Sequence, residues 1–163
     1  YEWATTIQPA WNSRIYFTSG NNTIYRFSQS PTLAMGGGNP TIIYGTLEAN
    51  ANLSFAGAGT KTITYGIIGT GNIDASAAGS GAVIINGTTS VLGGGTLTLQ
   101  SGLPLQVTGT TATMTSAKTI SGDITFSGTS YIVLGNFDLT VTGFFSGYGA
   151  TAYIKTTGTG FLK

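Results

Sequence analysis

Five carboxylates are the side chains best suited to acid–base or divalent-metal chemistry: Glu2, Glu48, Asp74, Asp123 and Asp138. The chain has no His and no Cys, which removes thiol nucleophiles, disulfides and most zinc donor sets. Carboxylates that cleave a polysaccharide work in clusters, often with a base or Ca²⁺ beside them. On a groove built from stacked coils they would recur about one coil apart. Asp74 and Asp123 are 49 residues apart, and Asp123 and Asp138 are 15 apart. Neither step equals a coil. Asp138, two residues after Asn136, reads as a turn residue whose carboxylate bonds nearby backbone amides. No catalytic, cofactor-binding or metal-ligating residue is expected, and no cofactor.

Other chemical motifs fail on their own terms. Ca²⁺-binding Gly-rich repeats need Gly-Gly-x-Gly-x-Asp, but Gly36–Gly38 and Gly93–Gly95 are followed by Asn-Pro-Thr and Thr-Leu-Thr. The Gly-x-Gly pairs open no helix, so they are not dinucleotide fingerprints. Thr-x-Thr pairs occur at Thr62/Thr64, Thr96/Thr98, Thr111/Thr113 and Thr140/Thr142. A stacked ladder of such pairs would suit ice binding. One period after Thr62/Thr64, however, stand Val83 and Ile85. These threonines therefore read as exposed strand positions.

The elements that would carry any such groups are set by a repeat. An apolar-x-apolar-x-Gly phrase ends at Gly45, Gly66, Gly87, Gly109 and Gly143. The first three glycines are 21 residues apart, and a fixed period of this size marks a solenoid or array. Alternating stretches such as Thr62–Tyr65, Thr96–Leu99 and Leu139–Val141 are rich in β-branched residues, which fit a half-buried pleated surface. Glycines punctuate them too often for helices. A coil of about 21 residues holds three short strands and three corners, and it stacks on its neighbours at about 4.8 Å. The expected fold is a right-handed parallel β-solenoid over residues 41–163, with inward rows that include Ile43, Ile63, Val83, Ile85, Leu105, Val107, Leu139 and Val141. One coil after Gly109 is expected to be irregular.

Residues 1–40 read differently. They hold both tryptophans, Trp3 and Trp11, with Tyr16, Tyr25 and Phe27. Arg14–Phe17 and Thr23–Phe27 flank Ser19-Gly20-Asn21-Asn22, a β-hairpin pattern. Gly36–Gly38 and Asn39-Pro40 mark a break. This segment is expected to be a cap on the solenoid or an assembly element. At the other end, Tyr153, Phe161 and Leu162 lie in an apolar strand with no cap, a template for another chain. Head-to-tail packing of the aromatic start on that end would give a filament.

Only 7% of the residues are charged and the net charge is +1, which gives no footprint for nucleic acid. No apolar run reaches the ~20 residues of a membrane helix. The chain starts at Tyr1, which reads as a processed or partial polypeptide.

The region from about residue 60 onward resembles the Gly/Thr/Ser/Asn-rich β-helical repeats of secreted surface proteins and adhesins of the Bacteroidetes type. The phrases that carry the resemblance are Ile68–Ile73, Ala82–Thr88, Thr96–Leu99, Leu134–Gly143 and Tyr153–Gly160. It implies an extracellular, cell-surface protein with a structural or adhesive role. The implied partners are further copies of itself, a longer parent chain or a glycan surface. A polysaccharide-binding or polysaccharide-cleaving β-helix is the alternative of a different class. An eight-stranded outer-membrane barrel also fits the length and the alternation.

Overall fold

The structure, a computed structural model, describes residues 2–3, 15–18, 23–34, 38–77 and 81–163. Among these every regular element is a strand. The strands form three parallel sheets, and the hydrogen-bonded order in each follows chain order. Sheet 1 has 8 strands and runs from Glu2–Trp3 and Ile24–Phe27 to Ser130–Val133 and Ala152–Lys155. Sheet 2 has 7, from Ile15–Thr18 and Thr41–Tyr44 to Ile124–Ser127 and Phe145–Ser146. Sheet 3 has 6, from Thr32–Ala34 and Leu53–Ala56 to Lys118–Ser121 and Leu139–Val141. The chain visits each sheet once per turn, so the fold is the expected parallel β-solenoid. Parallel pairing between all named strands rules out the antiparallel barrel.

Most strands alternate one buried residue with one more exposed residue, as in Leu105–Thr108 and Lys118–Ser121. Successive side chains of a strand point to opposite faces, so the buried set stacks in rows along the axis. Sheet 1 carries the row Tyr25–Leu47–Ile67–Leu92–Met114. Sheet 3 carries Leu53–Ile73–Leu97–Ile120–Val141. Sheet 2 carries Thr41–Lys61–Val83–Leu105–Ile124–Phe145. These rows meet in one core.

The repeat is less regular than its glycines suggest. Register steps run from 19 residues (Leu105 to Ile124) to 26 (Ile15 to Thr41). The irregular coil after Gly109 is the 19-residue one. Corner length is what varies, because corners lie outside the paired ladders. The last copy of the repeat phrase has consequently moved to another sheet. Leu139 and Val141 pair with Lys118 and Ile120 in sheet 3, whereas Val83, Ile85, Leu105 and Val107 line sheet 2. Leu139 is fully buried and Val141 is partly buried against the core.

The hairpin does not form. Ile15–Thr18 pairs in parallel with Thr41–Tyr44 in sheet 2, and Ile24–Phe27 pairs with Thr46–Ala49 in sheet 1. The two strands are successive sides of one coil. Pairing with the next coil lets Phe17, Tyr25 and Phe27 point into a shared core, which an exposed hairpin would not. Phe17 packs on Tyr25 with ring centroids 5.1 Å apart and on Phe27 at 6.4 Å.

Glycine is required where a coil turns tightly against its neighbour. At Gly94 φ is +78°, and a Cβ there would run into the Gly69 carbonyl one coil below. Both the positive φ and the close approach favour glycine.

Candidate functional site

The carboxylates are engaged in holding coils and corners together. Glu48 accepts from Arg26 Nε at 3.0 Å and from Asn50 Nδ2 at 2.8 Å, and the Arg26 hydrogen bond is the main cause of its lowered pKa. Asp74 accepts from the Ser76 hydroxyl at 2.6 Å and the Ser76 amide at 2.8 Å, which lower its pKa in that order. Asp123 accepts from the Phe144 amide of the next coil at 2.8 Å. Asp138 pairs with Lys163 at 2.5 Å and accepts from the Phe161 amide at 2.9 Å, and Lys163 is the main cause of its lowered pKa. The turn role expected of Asp138 is thus a clasp onto the following coil. Asn52, Asn72 and Asn136 make the same one-coil reach, to the amides of Asn72, Thr96 and Thr159. Among the described residues no group of three or more His, Cys, Asp or Glu is placed to hold a metal. The side chain of Glu2 lies outside the described residues.

Two lysines lie where the rows call for aliphatic residues. Lys61 is 1% exposed and stacks between Thr41 and Val83. Its ammonium donates to the carbonyls of Gly57 and Gly59. Lys118 is 4% exposed, and its ammonium donates to Gly93 O and Gly95 O, each at 3.2 Å. A Gly-x-Gly corner therefore presents two converging carbonyls that the lysine closes. Burial lowers each lysine from its ordinary 10.5 to about 8. The carbonyls satisfy ammonium protons that would otherwise be stranded in the core. The sequence gives no sign of this, since lysine reads as a surface residue.

The residues expected to mediate assembly separate into two groups. Trp3 and Tyr16 lie on strands of sheets 1 and 2, paired in register with Phe27 and Ile42. Their side chains, and all of Trp11, lie outside the described residues. Tyr25 and Phe27 are 3% and 2% exposed. They belong to the chain's own core, which removes them from any contact surface. At the C-terminal end Tyr153, Phe161 and Leu162 are exposed, and so are Phe144 and Tyr148, which sequence reading missed. Phe126, Phe145, Tyr148, Tyr153, Ile154 and Leu162 line an apolar cleft of about 480 Å³ there. Phe145–Ser146 and Ala152–Lys155 are the last strands of sheets 2 and 1, and past Leu139–Val141 sheet 3 is continued by residues 161–163, through a bridge to Leu162 and backbone hydrogen bonds of Leu139 and Val141 with Phe161 and Lys163.

Two outward faces are also distinctive. On sheet 1, Tyr131 and Tyr153 stand in register on adjacent coils with ring centroids 4.9 Å apart. With Thr111, Val133 and Lys155 they line a cleft of about 360 Å³. On sheet 3, Thr96 and Thr98 align with Thr119 and Ser121, and Thr119 aligns with Thr140. At Thr62 the ladder does break, since its partner is Ile84. On sheet 3 it continues.

No family model, curated protein or solved structure matches the chain. No helix among the described residues is long and apolar enough to cross a membrane.

Proposed function

We propose that this chain is a structural or adhesive element of a bacterial cell surface that stacks end to end and displays its outer faces without chemistry. The observation that carries this reading is the C-terminal end. An apolar cleft lined by Phe126, Phe145, Ile154 and Leu162 opens there, beside the last strands of sheets 1 and 2, while residues 161–163 pair onto the end of sheet 3. At the opposite end the first strands of the same three sheets run in the same direction. A second copy translated along the axis would extend every sheet by backbone pairing, and such a heterologous contact grows into a filament. The engagement of Glu48, Asp74, Asp123 and Asp138 in corner hydrogen bonds supports a scaffold role over a catalytic one.

The test is static light scattering and electron microscopy across a concentration series. The intact chain should form rods that lengthen with concentration. Tyr148→Asp and Phe161→Asp change side chains that are 70% and 65% exposed, so they should leave folding intact and abolish the rods. A chain that stays monomeric at high concentration, or variants that assemble like the parent, would sink the reading.

A second reading, polysaccharide binding, is favoured by the Tyr131–Tyr153 cleft. Aromatic faces stack on sugar rings while their hydroxyls bond to them. Tyr131→Ala and Tyr153→Ala should lose retardation in gels containing soluble polysaccharide. If they migrate as the parent does, the cleft is not a glycan site.

A further inference from the structure

The outward face of sheet 3 differs from the other two in what it leaves out. On sheet 2 the outward positions include Ile42 and Ile84, and on sheet 1 they include Val91, Tyr131 and Tyr153. On sheet 3 the outward positions from Thr32 onward are, among the described residues, mostly small and, apart from Ala56, polar. One column runs Thr32–Ser54–Asp74–Thr98–Ser121. The next runs Thr96–Thr119–Thr140. Thr142 follows Val141, the partner of Ile120, and extends the first column. Three successive coils thus carry Thr-x-Thr, Thr-x-Ser and Thr-x-Thr in register. The six residues are half-buried or exposed, and none of the six hydroxyls hydrogen-bonds to another group among the described residues. Elsewhere hydroxyls serve the fold, as where Thr125 bonds Ser146 at 2.8 Å and Thr110 bonds Ser90 at 3.0 Å.

We propose that this hydroxyl grid binds the ordered water of an ice surface. Adjacent coils set the rows about 4.8 Å apart, and alternate residues along a strand are about 6.6 Å apart. The water oxygens on the prism face of hexagonal ice repeat at intervals close to the first of these and somewhat longer than the second, a difference that small side-chain rotations about χ1 can take up. β-Branched threonine is stiff at χ1, and Thr96, Thr98 and Thr119 sit on strands paired with both neighbouring coils, so little freedom is lost there when the surface docks. Each threonine sets a methyl beside its hydroxyl, so the grid sheds loose water and fixes lattice water at once. Other partners fit less well. On the outward strand positions of sheet 3 in these three coils there is no ring on which a sugar could stack, no charge that would draw a polyanion and no large apolar anchor for a protein. The charges lie at the margins. Asp74 precedes Thr98, while Asp138 and Lys163 neutralise each other at the rim of a cleft of about 310 Å³ that borders Thr96, Thr119 and Thr140.

The experiment measures ice recrystallisation in frozen sucrose and the gap between freezing and melting of a single crystal. The intact chain should suppress crystal coarsening and open a gap. Thr119→Tyr, at the grid centre, and Thr140→Lys, at its edge, should each lose both effects, while Gln106→Tyr on sheet 2 keeps them. Melting scans should show all three variants folded, and two grid variants keep the test readable should one of them unfold. Phe161→Asp should retain ice activity whatever it does to assembly, so the two proposals stand or fall separately. The grid proposal is overturned if the intact chain acts no more strongly than albumin at equal concentration. It is equally overturned if the folded grid variants match Gln106→Tyr.

Discussion

The middle of the rod and its C-terminal end are made of the same strands under different conditions. Ile85, in the middle, is fully buried and has Val107 beside it in register. Ile154, on the last strand of sheet 1, stacks on Ile132 from one side and faces the apolar cleft on the other. Aromatic residues set the C-terminal end apart even from the opposite end of the rod. Tyr25 and Phe27 lie inside the core, whereas Phe144, Tyr148 and Phe161 lie in solvent. A residue in a solenoid is protected by the coils above and below it, so its contribution depends on position along the axis as much as on its type.

Substitutions sharpen this contrast by degrees. Ile85→Asp should abolish folding, because it strands an unpaired charge among stacked coils. Thr88→Asp, at an exposed bend, should cost less than about 0.5 kcal/mol. Equal melting temperatures for the pair would show that inside and outside have been assigned wrongly. Ile85→Ala should cost about 3 kcal/mol and Ile154→Ala about 1 kcal/mol in denaturant titrations. Similar losses would erase the distinction between middle and end.

The buried lysines test the middle by pH. Each has a folded pKa of about 8 against an ordinary 10.5, so the unfolded chain binds more protons between these values. Stability should therefore rise as pH increases from about 7 towards 10. The double variant Lys61→Met/Lys118→Met should flatten that rise. If it leaves the slope unchanged, the lysines are not its source. Smaller effects come next. Thr41 Oγ1 is buried without a hydrogen-bond partner among the described residues, and Thr41→Val should stabilise by about 1 kcal/mol. Glu48→Gln loosens a pair whose Arg26 side chain is 44% exposed and should cost less than about 0.5 kcal/mol.

Much of the interior can be read from the sequence, because Val83-x-Ile85 and Leu105-x-Val107 state their own alternation. What escapes such reading has physical causes. Corners vary in length, so counting by a fixed 21 residues carries Leu139 into the wrong sheet. It also misses the threonine grid, whose steps are 23 residues from Thr96 to Thr119 and 21 from Thr119 to Thr140. Two strands joined by a Gly-Asn turn look alike whether they pair with each other or with the next coil, hence the hairpin. Lys61 and Lys118 are invisible because their acceptors are main-chain carbonyls, which no residue code reveals. The Tyr131–Tyr153 pair escapes because the two residues meet only through the one-coil register.

That register also governs how the chain gets folded. Every ladder joins residues 19 to 26 positions apart, so the loop closed at each step has nearly the same length however long the rod becomes. Closure entropy grows only with the logarithm of loop size, and here it hardly grows at all. The costly event is the first pair of coils meeting. After that, each arriving coil finds a finished template and adds itself at a nearly constant rate. A chain built this way can lengthen by duplication of coils without folding more slowly per coil.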